Sequence, residues 1–220
     1  MAASSKATNA APGARQALLE HGLKIVAEKG VRGLVVREAA RMAQVNLGSF
    51  VYHFGNRERF VEELVELWYA PLFERLKLAA AGETGRSALQ RLQATLFDLF
   101  DLIAENSSVV SHLFADALAG EQTVRAFLLT MPQRHPKLLL ELVAQAQAEG
   151  DLIDAPPLQL TMFMMAAAGL PLGLAGGLLR HLDWLPREAE SLLNLMADPQ
   201  AARRRLEWAL KGIGKSKGAS

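Results

Sequence analysis

The sequence contains no cysteine. This absence excludes disulfide bonds, thiolate metal sites and cysteine nucleophiles, and it is consistent with a protein of the reducing cytoplasm. The first fourteen residues are small and polar and lack the apolar segment of a secretion signal, so we expect a flexible arm there. The five histidines show no HxxxH or HExxH spacing. The sequence therefore predicts neither a metal site nor a bound cofactor.

The alternation of apolar and polar residues that is typical of a β-strand is also missing. Apolar residues recur instead three and four positions apart, most regularly at Leu89, Leu92, Leu96, Leu99 and Ile103. Half of all residues are hydrophobic, which is enough for a substantial core. We therefore predict an all-α fold. In the second half of the chain, helices are expected at about 107–119, 121–131, 136–149, 157–181, 187–196 and 199–212.

Net charge is close to zero, at +1, but the charges are unevenly distributed. Residues 1–60 carry nine Lys and Arg against four Asp and Glu, whereas residues 61–220 carry fifteen against nineteen. A basic segment followed by a mildly acidic one indicates a polyanionic partner for the N-terminal part alone.

Residues 36–60 (VREAARMAQVNLGSFVYHFGNRERF) contain the most informative pattern. They predict two short helices joined by a tight turn, and the second begins with the short residues Asn46, Gly48 and Ser49. A helix can enter the major groove of DNA, about 12 Å wide, only if its leading residues are slim and polar. Arg57 follows at the start of the next helix, where backbone amides also favour phosphate. The pattern favours DNA binding.

This segment resembles the helix-turn-helix of the TetR family of bacterial transcriptional regulators. The resemblance runs through residues 43–46, 47–54 and the Arg57–Glu58 pair, and it extends from about Arg15 to Leu67. It implies that Leu47, Gly48, Ser49 and His53 face the groove and that Arg57 holds a phosphate. The full set of DNA-binding residues that it implies is Arg37, Asn46, Leu47, Gly48, Ser49, Tyr52, His53 and Arg57.

Three positions depart from the family pattern. Val35 stands where a threonine usually caps the second helix, which removes about 1 kcal/mol of capping. Gln44 replaces the usual turn glycine, so a left-handed conformation there would cost about 1 kcal/mol. Val51 replaces a tyrosine that commonly contacts phosphate, and Tyr52 is its neighbour. These departures affect individual contacts and leave the pattern of the module intact.

The resemblance also implies how the chain divides, and the glycine-bounded segment at residues 82–85 agrees with that division. The remainder beyond residue 67 resembles the family only as a helical body of suitable length. The predicted divisions are a flexible arm (1–14), a helix-turn-helix DNA-binding domain (15–60) with a connecting helix to about residue 80, a regulatory and dimerisation domain (81–212) and a flexible tail (213–220).

A ligand pocket would have to form from apolar faces of the body helices, because methionine and phenylalanine adapt well to bulky ligands. Such stripes are also typical of ordinary core, and we leave that alternative open. His112, Asp116 and His135 are polar groups near these stripes that could orient a ligand. The candidate pocket residues are Phe97, Phe100, His112, Phe114, Phe127, Met131, Met162, Phe163 and Met165.

Residues 160–179 contain no charged side chain, and their length matches a membrane span. A buried helix at a symmetric dimer interface explains the lack of charge in this stretch equally well. Such a dimer suits a DNA-binding protein that recognises two half-sites. We favour the interpretation of this stretch as a dimer interface. Its predicted interface residues are the glycines at four-residue spacing and two leucines of the last helix: Gly169, Gly173, Gly177, Leu206 and Leu210.

The sequence thus predicts a homodimeric, non-enzymatic transcriptional regulator that binds a palindromic operator in double-stranded DNA and responds to a small, largely apolar effector. Repression is the family's usual outcome. One alternative is an activator with the same helix-turn-helix domain. The other is an all-helical protein without sequence-specific DNA binding that either binds a small molecule or is anchored in a membrane. His53 has no nucleophile in register, and no catalytic site is predicted.

Overall fold

The computed structural model describes residues 13–175 and 186–215. Within these ranges the chain consists of helices and short connections, and its β-structure is limited to an isolated bridge between Leu152 and Gly214. The all-α prediction is confirmed. The helices are α1 (Ala14–Lys29), α2 (Val36–Met42), α3 (Leu47–Phe54), α4 (Arg57–Ala81), α5 (Ala88–Glu105), α6 (Ser107–Leu118), α7 (Gln122–Thr130), α8 (His135–Ala148), α9 (Pro157–Met164), α10 (Leu170–Gly173), α11 (Glu190–Ala197) and α12 (Pro199–Ile213).

Several helix ends follow from local sequence signals. Asp198 accepts two backbone N–H groups at 3.0 Å each, and Pro199 is the first residue of α12, as the sequence predicts. Gly30 ends α1 with a φ of +73°. The Ser87 hydroxyl and the Gln90 side chain form a reciprocal capping box at the start of α5. These ends are set by short-range hydrogen bonds, so the sequence predicts them well.

The buried side chains form two clusters that share α4. The first cluster unites α1, α2, α3 and the first half of α4, and it also takes Leu113 from α6 and Val124 from α7. The second cluster joins α5, α8, α9 and α12 to the second half of α4. Because α4 contributes Phe60 to the first cluster and Leu76 to the second, a single helix connects the two clusters.

The run of helix from Pro157 is interrupted by a π-helical turn at Met165–Gly169 before α10 begins. A Cβ atom at Gly169 would lie 2.5 Å from Met165 Cε and 3.1 Å from Phe100 Cε1. The absence of a side chain at Gly169 thus allows this turn to approach α5 inside the same chain, and Gly169 is buried there.

The predicted dimer interface therefore needs correction. Gly169 packs within the chain, and a Cβ at Gly173 would have α5 as its nearest neighbour, through Ile103 at 3.8 Å. Leu206 is fully buried and Leu210 nearly so, both in the second cluster. Gly169, Leu206 and Leu210 thus stabilise the fold of one chain, whereas Gly173 is half-buried and remains a predicted interface position. The remaining predicted position, Gly177, lies outside the described residues.

None of the helices formed by residues 13–175 and 186–215 is both long and apolar enough to span a lipid bilayer. The stretch that suggested a span, residues 160–179, is described as far as residue 175.

Candidate nucleic-acid interface

The turn between α2 and α3 has the geometry that the sequence predicts. Gln44 adopts a φ of +56°, which is the left-handed conformation that a glycine would adopt without strain. Val35 precedes α2 in an extended conformation, and its side chain cannot cap the helix. Asn46 caps α3, because its side-chain oxygen accepts the backbone N–H of Ser49 at 2.8 Å. The left-handed conformation of Gln44 and the capping hydrogen bond of Asn46 thus involve only residues that are close in the sequence.

One face of α3 is exposed to solvent. Leu47, Gly48, Val51 and Tyr52 lie on it, and Tyr52 is 78% exposed. The opposite face carries Phe50 and Phe54, which are buried in the first cluster. The helix is thus held from behind by apolar contacts and presents its slim N-terminal residues and one tyrosine outward.

Aromatic rings lock α3 onto α4. The ring of Phe60 lies 5.1 Å from the ring of Phe50 in an edge-to-face arrangement and 4.7 Å from the ring of Phe54, between centroids. Phe60 is fully buried. Such ring pairs stabilise a contact beyond their buried area, and they hold α3 against the start of α4.

Two of the residues expected to face the groove point elsewhere. Ser49 is 6% exposed, and its Oγ atom is buried without a hydrogen-bond partner among the described residues. His53 is half-buried, and its Nε2 atom is likewise enclosed and unpaired within the described part of the chain. Positions 49 and 53 share the helix face of Phe50 and Phe54, so the helical period places them inward. Val51 is exposed instead and lies on the outer face, where the sequence predicted Ser49 and His53.

Exposed cations lie on the helices that precede and follow α3. Arg37 and Arg41 are exposed one turn apart on α2, and Arg59 is exposed in the first turn of α4. Lys and Arg next to a recognition helix suit contacts to the phosphates that flank the groove. Only Arg37 of these was predicted from the resemblance; the i, i+4 spacing of Arg37 and Arg41 is the signal that points to Arg41 as well.

Arg57 is not placed as expected. Its Nη2 atom donates to the carbonyl oxygen of Val31 at 2.7 Å, and its Nη1 and Nη2 atoms lie 3.4 and 3.3 Å from the two carboxylate oxygens of Glu121. The side chain of Arg57 is 29% exposed. The guanidinium thus binds protein groups on both sides, and the predicted phosphate contact is corrected to an internal one.

The predicted pocket residues do not converge on one cavity. Phe100 is fully buried core, and Phe97 lies under the guanidinium of Arg203, 4.8 Å from ring centroid to Cζ. Met165 packs at the π-helical turn, Met131 lies in a short 3₁₀ turn after α7, and His112 is half-buried on α6. Three members are exposed on the surface: Phe114, Met162 and Phe163. Helical periodicity identified the apolar residues but not which of them face inward.

Two polar residues, Tyr69 and His135, form a pair between α4 and α8. Of these, the sequence predicted only His135 as a candidate. The Tyr69 hydroxyl and His135 Nδ1 are 2.9 Å apart. Burial lowers the pKa of His135 to about 4 and raises the pKa of the Tyr69 phenol. Phe127 meets the Tyr69 ring edge to face, with centroids 5.6 Å apart, and the Arg134 guanidinium covers both rings. The pair is therefore neutral at physiological pH and enclosed by aromatic and cationic groups.

A small apolar cleft lies where α1, α4 and α6 meet, in the first cluster rather than in the body. Its lining is Leu23, Val26, Leu64, Val65, Trp68, Val109 and Leu113. Among the described residues, no group of three or more His, Asp or Glu is arranged to hold a metal ion.

Comparisons with known proteins agree with this geometry, although no family model matches the chain. The HTH-type transcriptional repressor KstR2 of Rhodococcus jostii (strain RHA1) is 31% identical over 116 residues, which are 50% of this chain and 56% of that protein. The chain thus spans little more than half the length of this relative. The solved structure of the ketosteroid transcriptional regulator KstR2 of Mycobacterium tuberculosis is similar with a TM-score of 0.63 and 24% identity, covering 94% of this chain and 97% of that one. A regulatory protein in the TetR family from Rhodococcus RHA1 gives a TM-score of 0.62 at 15% identity, covering 94% and 100%.

The relatives in sequence are helix-turn-helix transcriptional regulators, which is the class that the exposed face of α3 also indicates. Within that class, the fold is that of the TetR family. The family resemblance carried by residues 36–60 is thereby confirmed.

Proposed function

We propose that this chain is a DNA-binding transcriptional repressor that acts in the cytoplasm as a homodimer. The observation that supports DNA binding is the outer face of α3, where Gly48 and Tyr52 are exposed, together with the exposed arginines of α2 and of the first turn of α4. An exposed recognition helix with flanking Arg residues combines groove access with phosphate contacts. That KstR2 is a repressor by name favours repression over activation.

The operator is proposed to be palindromic, because a two-fold dimer presents two recognition helices about 34 Å apart. Apolar side chains exposed on two neighbouring helices support a homodimer: Leu158 and Met162 on α9, and Trp208 on α12. Trp208 is 65% exposed. Large exposed apolar groups on adjacent helices are typical of a contact with another copy. This surface differs from the glycine face that the sequence suggested.

The effector is proposed to be a small, largely apolar molecule that binds in the body beside the Tyr69–His135 pair. This neighbourhood combines aromatic surfaces, including the predicted pocket residue Phe127, with two polar atoms that can fix an orientation. Such a ligand would regulate DNA affinity only through its different affinity for two arrangements of the chain.

Selection of bound sequences from randomised duplex DNA tests the proposed function. We expect a palindromic consensus, bound by two chains, with an affinity that falls steeply as salt rises because phosphate contacts release counterions. Binding without an enriched sequence, or with no salt dependence, would contradict the proposal.

A further inference from the structure

Four residues meet where the segment between α1 and α2 contacts the end of α6 and the turn that follows it. We call this contact the head–body junction and define it by Val31, Arg57, Asp116 and Glu121. Val31 is the second residue after α1, Arg57 begins α4, and Asp116 and Glu121 lie on either side of the end of α6. The junction therefore adds polar contacts between the helix-turn-helix and the body beside the apolar first cluster, to which Val31 belongs.

Asp116 is the buried centre of this junction. It is 7% exposed, and its Oδ2 atom accepts the backbone N–H of Val31 at 2.6 Å and that of Arg32 at 3.4 Å. A buried carboxylate is costly unless hydrogen bonds satisfy it, and here the donors come from a distant segment. The bonds fix the backbone of residues 31 and 32, four residues before α2 begins.

Arg57 closes the junction from the other side. It donates to the Val31 carbonyl at 2.7 Å, so the same peptide segment is held by Asp116 through its N–H and by Arg57 through its C=O. The pair with Glu121 has side-chain exposures of 29% and 15%, which shield it from solvent more than an ordinary surface ion pair. Arg57 thus connects the helix-turn-helix, through Val31, to the body, through Glu121.

We propose that Arg57, Asp116 and Glu121 are positioning residues that set the orientation of α2 and α3 on the body. This inference rests on the proposed function for its meaning in DNA binding. The turn that these groups hold leads directly into α2, and α2 leads into α3 across the strained residue Gln44. Displacement of the α6–α7 turn would therefore move the recognition helix, because Asp116 and Glu121 are bonded to the segment, and to the Arg57 side chain, that hold α2 in place.

Hydrogen exchange on the full chain, without DNA, tests the junction directly. The variants are Asp116→Asn, Asp116→Ala and Glu121→Gln, with Asp101→Asn as a matched control. Asp101 makes a half-buried ion pair with Arg203 between α5 and α12, away from the helix-turn-helix. We expect the amides of Val31 and Arg32 to exchange about tenfold faster in Asp116→Ala, and less so in Asp116→Asn, which keeps an acceptor oxygen. The control should leave these amides unchanged.

DNA binding supplies the second readout, measured on the duplex enriched by selection. Asp116→Ala and Glu121→Gln should weaken binding about tenfold with an unchanged dependence on salt, since no phosphate contact is lost. Arg57→Gln should behave in the same way. Arg37→Gln, at an exposed position, should instead lower the salt slope by about one.

Each outcome decides the proposal. It is overturned if Arg57→Gln lowers the salt slope by one, because Arg57 would then contact phosphate. It is also overturned if Asp101→Asn weakens DNA binding equally, or if Asp116→Ala and Glu121→Gln leave affinity within twofold or raise it. If no duplex is enriched at all, the proposed function fails, and the exchange rates of Val31 and Arg32 still show whether the junction holds the turn.

Discussion

The carboxylate of Asp116 accepts the backbone N–H of Val31 at 2.6 Å, across 85 residues of sequence. The approach is possible because residue 30 is a glycine. A Cβ atom at Gly30 would lie 2.7 Å from Asp116 Oδ2, and the residue has a φ of +73°. Both the space and the backbone conformation at this position therefore exclude a side chain.

We expect Gly30→Ala to lower the free energy of unfolding by about 3 kcal/mol, from backbone strain and the disturbed carboxylate contact. Gly85→Ala is the matched control. Gly85 also has a positive φ, +93°, but a Cβ there would meet nothing within 4 Å. It should cost about 1–2 kcal/mol, from backbone strain alone. Urea unfolding of both variants measures the difference, and equal losses would contradict the role given to the Asp116 contact.

The two faces of α3 predict different effects of two substitutions on DNA affinity. Tyr52→Ala should weaken binding about tenfold, because it removes an exposed side chain from the outer face. Ser49→Ala should leave affinity within twofold, since the Ser49 side chain is buried. Fluorescence anisotropy with the selected duplex provides the measurement. A loss in Ser49→Ala as large as in Tyr52→Ala would show that the inner face reaches DNA.

The left-handed conformation of Gln44 predicts a stabilising substitution. We expect Gln44→Gly to raise the free energy of unfolding by about 0.5–1 kcal/mol, because relief of strain at a φ of +56° exceeds the added entropy of the unfolded chain. Gln44→Ala keeps a Cβ atom and should give no such gain. Urea denaturation at constant pH compares the three chains, and a destabilised glycine variant would be the contrary result.

The lowered pKa of His135 predicts a specific dependence of stability on pH. In the folded chain this pKa is about 4, against an ordinary value of 6.5 that applies when the chain is unfolded. Between these values the unfolded state binds more protons, so stability is fully present above pH 6.5 and declines as the pH falls toward 4. From pH 7 to pH 5, we expect the wild type to lose about 2 kcal/mol more than His135→Gln.

Urea unfolding at both pH values tests the His135 prediction. His21→Gln serves as the control, because it removes a different histidine and leaves the Tyr69–His135 hydrogen bond in place. Equal losses in the wild type and in His135→Gln would contradict the assignment of this pH dependence to His135.

Exposed apolar side chains of α9 and α12 predict the dimer contact. Trp208→Lys should shift the chain from dimer to monomer, because a charge would replace a large apolar group at the proposed interface. Leu118→Lys is the control, since Leu118 is 82% exposed on α6. Light scattering after size exclusion gives the mass of each variant. A dimeric Trp208→Lys, or a monomeric control, would refute this placement.

Some features of this protein depend only on residues that are neighbours in the sequence. The Asn46 cap, the left-handed Gln44 and the Asp198–Pro199 start of α12 were all predictable from the sequence. Each depends on hydrogen bonds or backbone preferences within a few residues, and such preferences are fixed by residue type. The motif of residues 36–60 is short-range in the same sense, so the family could be recognised from it.

The burial of Leu206 and the internal contacts of Arg57 and Gly169 were not predictable in this way. Each depends on a partner far along the chain, such as Glu121 for Arg57 or Phe100 for Gly169. A periodic pattern shows that a helix has an apolar face but does not show which neighbour covers it. The sequence by itself therefore determined the helices, their ends and the class of DNA reader, whereas only the tertiary structure decided which charged and small residues join the head to the body, because those contacts are made by packing between distant segments.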